Sequence, residues 1–211
     1  MKHILTPLIL TLCLTMTASA QTPDTTPLPP YPRVEVETNA GTFVLELFTS
    51  RAPITVENFI QYVNEGFYNG TVFHRVVGGF VIQGGGYDEN YKLKPTRQTI
   101  SNESGNGLSN QRGFVAMART GDPHSADSQF YINLNDNTAL DPRPTRWGYT
   151  VFGKVVEGME TVDEIGYLST GAGPVPELAK DVPKEPVVIT RVTVIVEDSA
   201  DSETTEATPV E

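Results

Sequence analysis

The sequence predicts a mainly β fold, a sandwich or barrel of about eight short strands with two helices. Three features lead there. Short apolar or alternating runs recur along the chain, bounded by Gly, Pro, Asn and Asp. Only two stretches carry the period of a helix. No strand–helix–strand rhythm appears, which argues against a parallel sheet.

Taken in order, Val34 to Phe48 alternates: Val34, Val36, Phe43, Leu45 and Leu47 contrast with Glu35, Glu37 and Glu46, and Asn39-Ala40-Gly41 separates the two runs. This predicts an antiparallel hairpin with one buried face. From Ala52 to Phe67 the period changes. Val56, Phe59, Ile60, Val63 and Phe67 form one helical stripe, with Pro53 suited to the first turn and Gly66 to the end. Tyr68 to Gly86 holds two short apolar runs with Gly78-Gly79 between them. Tyr87 to Asn110 is polar and turn-rich, a long loop of the kind that often carries function. Strands follow at Gly113–Ala118, Gln129–Leu134 and Thr150–Val155. Loops from Arg119 to Asp127 and from Asn135 to Tyr149 separate them. Met159, Val162 and Ile165 suggest a short second helix. Gly166 to Pro186 reads as a Gly/Pro-rich loop and Val187 to Val196 as the last strand.

The ends differ from this middle. Residues 1–20 read as a secretory signal peptide: Lys2 and His3, an apolar run from Ile4 to Met16, then Ala18-Ser19-Ala20 as a cleavage signal. The apolar run is too short for a membrane span, so no membrane insertion is expected after cleavage. Cys13, the one cysteine of the chain, lies inside this segment, and Leu12 before it is not the small residue a lipoprotein signal needs. A mature chain without cysteine excludes disulfides and thiolate chemistry. Residues 21–32 are a Pro/Thr-rich linker, 33–197 the folded domain, and 198–211 an acidic tail. The net charge of −11 offers no basic face for nucleic acid. The expected location is therefore exported, periplasmic or extracellular.

The stretch with the densest information runs from Phe73 to Gly86. Three polar side chains, His74, Arg75 and Gln83, sit inside its apolar runs. An arginine among strand residues either has partners and a task or lies at an edge with its head in water. Two further stretches stand out: Gly113 to Arg119 followed by Ser128-Gln129-Phe130-Tyr131-Ile132, and Val151 to Met159. In order and spacing the three resemble the signatures of the cyclophilins, the peptidyl-prolyl cis-trans isomerases. The resemblance covers Val34 to Val196 and is nearest to the exported bacterial branch. It implies a closed eight-stranded antiparallel β-barrel with a helix over each open end. It also implies an enzyme without metal or other cofactor, acting on proline-containing segments of unfolded or folding proteins.

The resemblance assigns Arg75 as the catalytic donor; Gln83 lies eight residues on, and if the two strands flank a turn its side-chain carbonyl accepts from Arg75 and holds it. Phe80, Val81, Tyr131, Leu140 and Tyr149 match the apolar proline pocket. His74, Ala118, Arg119 and Gln129 match the substrate groove. On spacing alone the apolar set reads equally as barrel core and either glutamine as a surface amide. Several positions depart from the family pattern: Val81 for methionine, Tyr131 for phenylalanine, Tyr149 for histidine and Arg119 for asparagine. Ala139 stands where cyclosporin-sensitive members carry tryptophan, so weak cyclosporin binding is expected. Trp147 would substitute only if its loop folded inward.

Other motifs fail. Gly84-Gly85-Gly86 lacks the Lys-Ser/Thr of a phosphate loop. His124, Asp127 and Ser128 are too close in sequence for a triad, and two histidines give no third metal ligand. Two readings remain, a proline isomerase for exported proteins and a non-catalytic proline-peptide binder or holding chaperone on the same fold. Arg75 together with Phe80, Gln83 and Gln129 favours the enzyme. With no apolar seam in view, a monomer is the expectation.

Overall fold

The computed structural model describes residues 28–195 of the 211-residue chain. The expected signal peptide, the linker before Leu28 and the acidic tail lie outside the described residues.

The first hairpin forms where alternation places it. Strands β1 (Arg33–Thr38) and β2 (Gly41–Leu47) pair with Thr38 opposite Gly41. Val34, Val36, Phe43, Leu45 and Leu47 are buried. Helix α1 (Pro53–Asn64) buries Val56, Phe59, Ile60 and Val63, the stripe its period defines, and Tyr62 as well. Pro53 opens the helix, and Gly66, at φ +65°, turns the chain just past its end. Ala52 offers no side-chain cap. The Glu103 carboxylate, brought in by the long loop, accepts instead from the amides of Ile54 (3.2 Å) and Thr55 (2.9 Å) and from the Thr55 hydroxyl (2.7 Å).

The remaining elements are β3 (Thr71–Val72), β4 (Arg75–Val77), β5 (Val81–Gly84), β6 (Phe114–Met117), β7 (Phe130–Asn133), β8 (Val151–Glu157), α2 (Met159–Gly166), β9 (Thr170–Gly171), β10 (Val182–Pro183) and β11 (Val188–Ile195). Nine strands form one antiparallel sheet in the order β3-β11-β1-β2-β8-β6-β7-β5-β4. Its two end strands, β3 and β4, are consecutive in the chain, with only Phe73 and His74 between them. The sheet therefore curls until both edges meet in one stretch.

That stretch explains why nine strands stand where about eight were expected. Thr71 and Val72 pair with β11, and Arg75 to Val77 pair with β5, so one bent run serves two neighbours. The loop expected from Gly166 to Pro186 is also more ordered than that reading, since β9 and β10 form a small ribbon within it. Strands of two residues leave no alternation to detect.

Phe59 of α1 fixes the centre of the core. Its ring lies 5.1 Å from Tyr68, 5.2 Å from Phe152 and 5.6 Å from Phe130, the last edge-on. Helix α2 adds Val162 and Ile165 to the same core. A second, smaller cluster of Val81, Ala116, Ala118, Tyr131 and Val151 stands apart, with Phe80, Leu140 and Tyr149 packed on it. This second cluster carries the candidate site.

Candidate active site

The β4–β5 hairpin sets Arg75 opposite Gln83, Val76 opposite Ile82 and Val77 opposite Val81. Val76 and Ile82 point into the core. By alternation Arg75 and Gln83 share the other face. Gly79, at φ +68°, supplies the tight turn between the strands. The row continues across the sheet, because Gln83 lies opposite Tyr131 on β7 and Tyr131 opposite Ala116 on β6. Four strands thus place Arg75, Gln83, Tyr131 and Ala116 side by side on one face.

Loops wall this face. A short 3-10 turn, Thr138–Leu140, presents Leu140, whose carbonyl accepts from the Tyr149 amide at 3.0 Å. Tyr149 meets Tyr131 edge-on at 5.9 Å. The Arg119 guanidinium lies 4.3 Å over the Tyr149 ring and donates to the carbonyls of Gly148, Thr120 and Trp147. Arg75, Phe80, Val81, Gln83, Ala118, Arg119, Tyr131, Leu140 and Tyr149 enclose a cleft of about 240 Å³. An adjoining cleft of about 160 Å³ shares Gln83, Ala118 and Arg119 and adds Thr120, Ser125, Asp127 and Gln129.

The polar side is a chain of contacts. Arg75 Nη1 donates to Gln83 Oε1 at 3.4 Å, and Gln83 Nε2 donates to Gln129 Oε1 at 3.1 Å. Gly86 leaves room for this arrangement, since a Cβ there would stand 2.6 Å from Gln129 Cγ. Phe80 lies beneath the guanidinium, its centroid 6.0 Å away. On the opposite side, Arg75 Nε is 3.7 Å from Asp181 Oδ2.

Behind the cleft, the Tyr131 hydroxyl donates to Asn110 Oδ1 at 2.7 Å. Asn110 gives its amide and side-chain nitrogen to Asp141, next to Leu140. Burial pushes the Tyr131 hydroxyl well above the usual range, so it stays protonated and donates. Burial also raises the Asp141 carboxyl, but the hydrogen bonds from Ser109 and Asn110 outweigh this and hold it below the usual range. The loops behind the cleft are therefore tied by a charged acceptor.

One expected groove residue sits elsewhere. His74 is buried, its ring 4.7 Å from that of Tyr87 and tilted against it, and does not line the cleft. Alternation from Arg75 turns it to the interior. Its Nδ1 has no hydrogen-bond partner among the described residues, and burial lowers its pKa to about 4. Gln129 stands in the adjoining cleft rather than the first. Trp147 does not fold toward the first cleft: its ring is half-exposed against His124 and lines a separate hollow with Pro142 and Arg143. Asp181, Asn110 and Asp127 escaped sequence reasoning because they lie in loops without a period and join the site only through tertiary contacts.

An apolar slot with the Arg75 and Arg119 guanidinium groups and the Gln83 amide on its rim, built on a curled antiparallel sheet, suits an enzyme that turns a peptide bond without breaking it. The chain belongs to the cyclophilin-type peptidyl-prolyl cis-trans isomerase family, whose model matches residues 33–194. It is 50% identical over 164 residues to peptidyl-prolyl cis-trans isomerase B of Escherichia coli, covering 76% of this chain and 98% of the relative. It is likewise 50% identical over 156 residues to a peptidyl-prolyl cis-trans isomerase of Acinetobacter baylyi, covering 74% of this chain and 81% of that one. A crystal structure of a cyclophilin-type isomerase from Cryptosporidium parvum, obtained in the presence of the dipeptide Ala-Pro, superposes with a TM-score of 0.63 at 25% identity. That match covers 78% of this chain and 99% of the other. The protein is a peptidyl-prolyl cis-trans isomerase.

Proposed function

We propose that the 240 Å³ cleft binds the proline of an X-Pro segment and that Arg75 catalyses its isomerisation. The observation that carries this is the Arg75–Gln83 cross-strand contact at the edge of an apolar pocket. The barrier to rotation is about 20 kcal/mol because the nitrogen lone pair is delocalised into the carbonyl. A donor aimed at the prolyl nitrogen engages that lone pair as the bond twists. Each ~1.4 kcal/mol removed from the barrier gives a factor of ten in rate. Phe80, Val81, Tyr131, Leu140 and Tyr149 hold the ring, leaving the other half of the substrate to rotate. Ala118, Arg119 and Gln129 line the path of the substrate backbone, and Gln83 keeps Arg75 turned to the pocket. That a related cyclophilin-type isomerase was crystallised in the presence of the proline dipeptide Ala-Pro supports this reading.

The setting is the folding of exported proteins, where X-Pro steps take tens of seconds. The basic start, apolar run and Ala18-Ser19-Ala20 support export and cleavage after Ala20. We place the mature enzyme in the periplasm or outside the cell, as a monomer. Cyclosporin binds weakly, because Ala139 supplies no indole donor. Cell fractionation with N-terminal sequencing tests the setting: a mature chain starting at Gln21 outside the cytoplasm supports it, and an uncleaved cytoplasmic chain refutes it. Refolding of a substrate limited by X-Pro isomerisation tests the activity: the enzyme removes the slow phase, and an unchanged slow phase contradicts the proposal.

A further inference from the structure

Arg75 is held from two sides, and only one of them belongs to its own hairpin. Gln83 takes Nη1, while Asp181 approaches Nε from the loop before β10. The backbone of Asp181 is tied to the same strand, since its carbonyl accepts from the Val76 amide at 2.7 Å. Asp181 also sits at φ +64°, in the left-handed region; among the described residues Tyr91 is the other non-glycine with positive φ. Glycine would adopt that backbone without strain. What aspartate adds there is its carboxylate, beside the guanidinium. The pair is 35% and 26% exposed, so its contribution to stability is small. Orientation is a different matter. A planar guanidinium with a carboxylate 3.7 Å from Nε and an amide oxygen 3.4 Å from Nη1 is restrained from two sides, and its remaining edge has no hydrogen-bond partner among the described residues.

We propose that Asp181 is a positioning residue for the isomerisation, fixing the plane of the Arg75 guanidinium so that its free edge faces the bound X-Pro bond. This rests on Arg75 being the donor. Gln83 alone, at 3.4 Å, is a long contact that leaves the group free to rotate about it. The second contact, an ion pair at 3.7 Å rather than a hydrogen bond, narrows that freedom before substrate arrives, and a donor restrained in advance loses less on reaching the transition state.

The test is steady-state isomerisation of a short X-Pro peptide by the full protein and by Asp181→Gly, Asp181→Asn, Arg75→Ala and the double variant Asp181→Gly/Arg75→Ala. Asp181→Gly relieves the backbone and removes the carboxylate. It is expected to keep or raise Tm while kcat falls about fivefold and KM stays within about twofold, the split that marks a loss confined to the transition state. Asp181→Asn, which keeps the shape without the charge, falls between parent and glycine variant, and it carries the comparison if Asp181→Gly lowers Tm. In the Arg75→Ala background the glycine change has no further effect. Parental kcat in Asp181→Gly and Asp181→Asn with a slow Arg75→Ala overturns the role of Asp181 and leaves Arg75 standing. An equal loss with and without Arg75 shows that Asp181 acts elsewhere and also overturns it. Parental kcat in Arg75→Ala overturns both assignments.

Discussion

Arg75 and Gln83 stand directly opposite each other in the β4–β5 ladder, with Nη1 of one 3.4 Å from Oε1 of the other. Gln83 is fixed in turn by Gln129, so the direction of the cation depends on a relay of two amides. Replacing Gln83 by Leu keeps bulk and removes the acceptor. We expect about a tenfold fall in kcat/KM, roughly 1.4 kcal/mol of transition-state stabilisation, with Tm shifted by no more than about 2 °C. Stopped-flow isomerisation and thermal unfolding check the two halves.

Tyr131→Phe separates packing from catalysis at a departure from the family pattern. The hydroxyl donates to the buried Asn110 side chain, which Asn133 approaches only at 3.4 Å. Leaving that acceptor poorly satisfied costs about 1–2 kcal/mol. The ring still walls the pocket, so kcat/KM stays within about threefold of the parent. Denaturant unfolding beside peptide isomerisation tells the two effects apart.

Glu103 caps α1 from 48 positions beyond Thr55. Glu103→Ala strips two helix amides and a hydroxyl of their acceptor, and a loss of about 1–2 kcal/mol follows. Tm falls by about 3–6 °C at this domain size. Because the helix lies in the core rather than the cleft, peptide turnover at low temperature is unchanged.

His74 makes stability depend on pH. Burial, with a smaller opposing contribution from the Val72 backbone, lowers its folded pKa from 6.5 to about 4. Between those values the unfolded chain takes up a proton that the folded chain refuses, so stability rises with pH across that window. As pH falls from 6.5 to 4 the protein loses about 3 kcal/mol through this group, and below that the loss levels off. His74→Phe removes this part of the pH dependence. The difference in unfolding free energy between parent and variant, followed from pH 7 to 4 (~0.5-unit steps), measures it. Asp141 acts lower: its depressed carboxyl supports folding above the ordinary carboxylate range and loses that support as pH falls through its folded value.

Much of the site was legible because it lies on paired strands. Once Gly78-Gly79 is taken as the turn, the eight-residue spacing brings Arg75 and Gln83 together, and the register sets them opposite each other. The helical stripe of α1 was equally plain, since Val56, Phe59, Ile60 and Val63 repeat at the right period. What stayed hidden lies in loops. Asp181 reaches Arg75 through a ribbon of two-residue strands, and Glu103 reaches α1 from a stretch with no period. The family resemblance sets His74 in the groove, whereas the pleat turns it inward. The bend at Phe73-His74 also escaped notice, because a run that changes partners keeps its apolar character.

The most direct measurement is the turnover of a short X-Pro peptide by the parent and by Arg75→Ala, paired with calorimetric binding of the same peptide to both. The parent is expected to turn over far faster than buffer, and Arg75→Ala to lose at least about a hundredfold in kcat/KM, roughly 2.7 kcal/mol, while Kd changes by less than about threefold. An Arg75→Ala protein that turns over at the parental rate would contradict the account, as would a parent no faster than buffer.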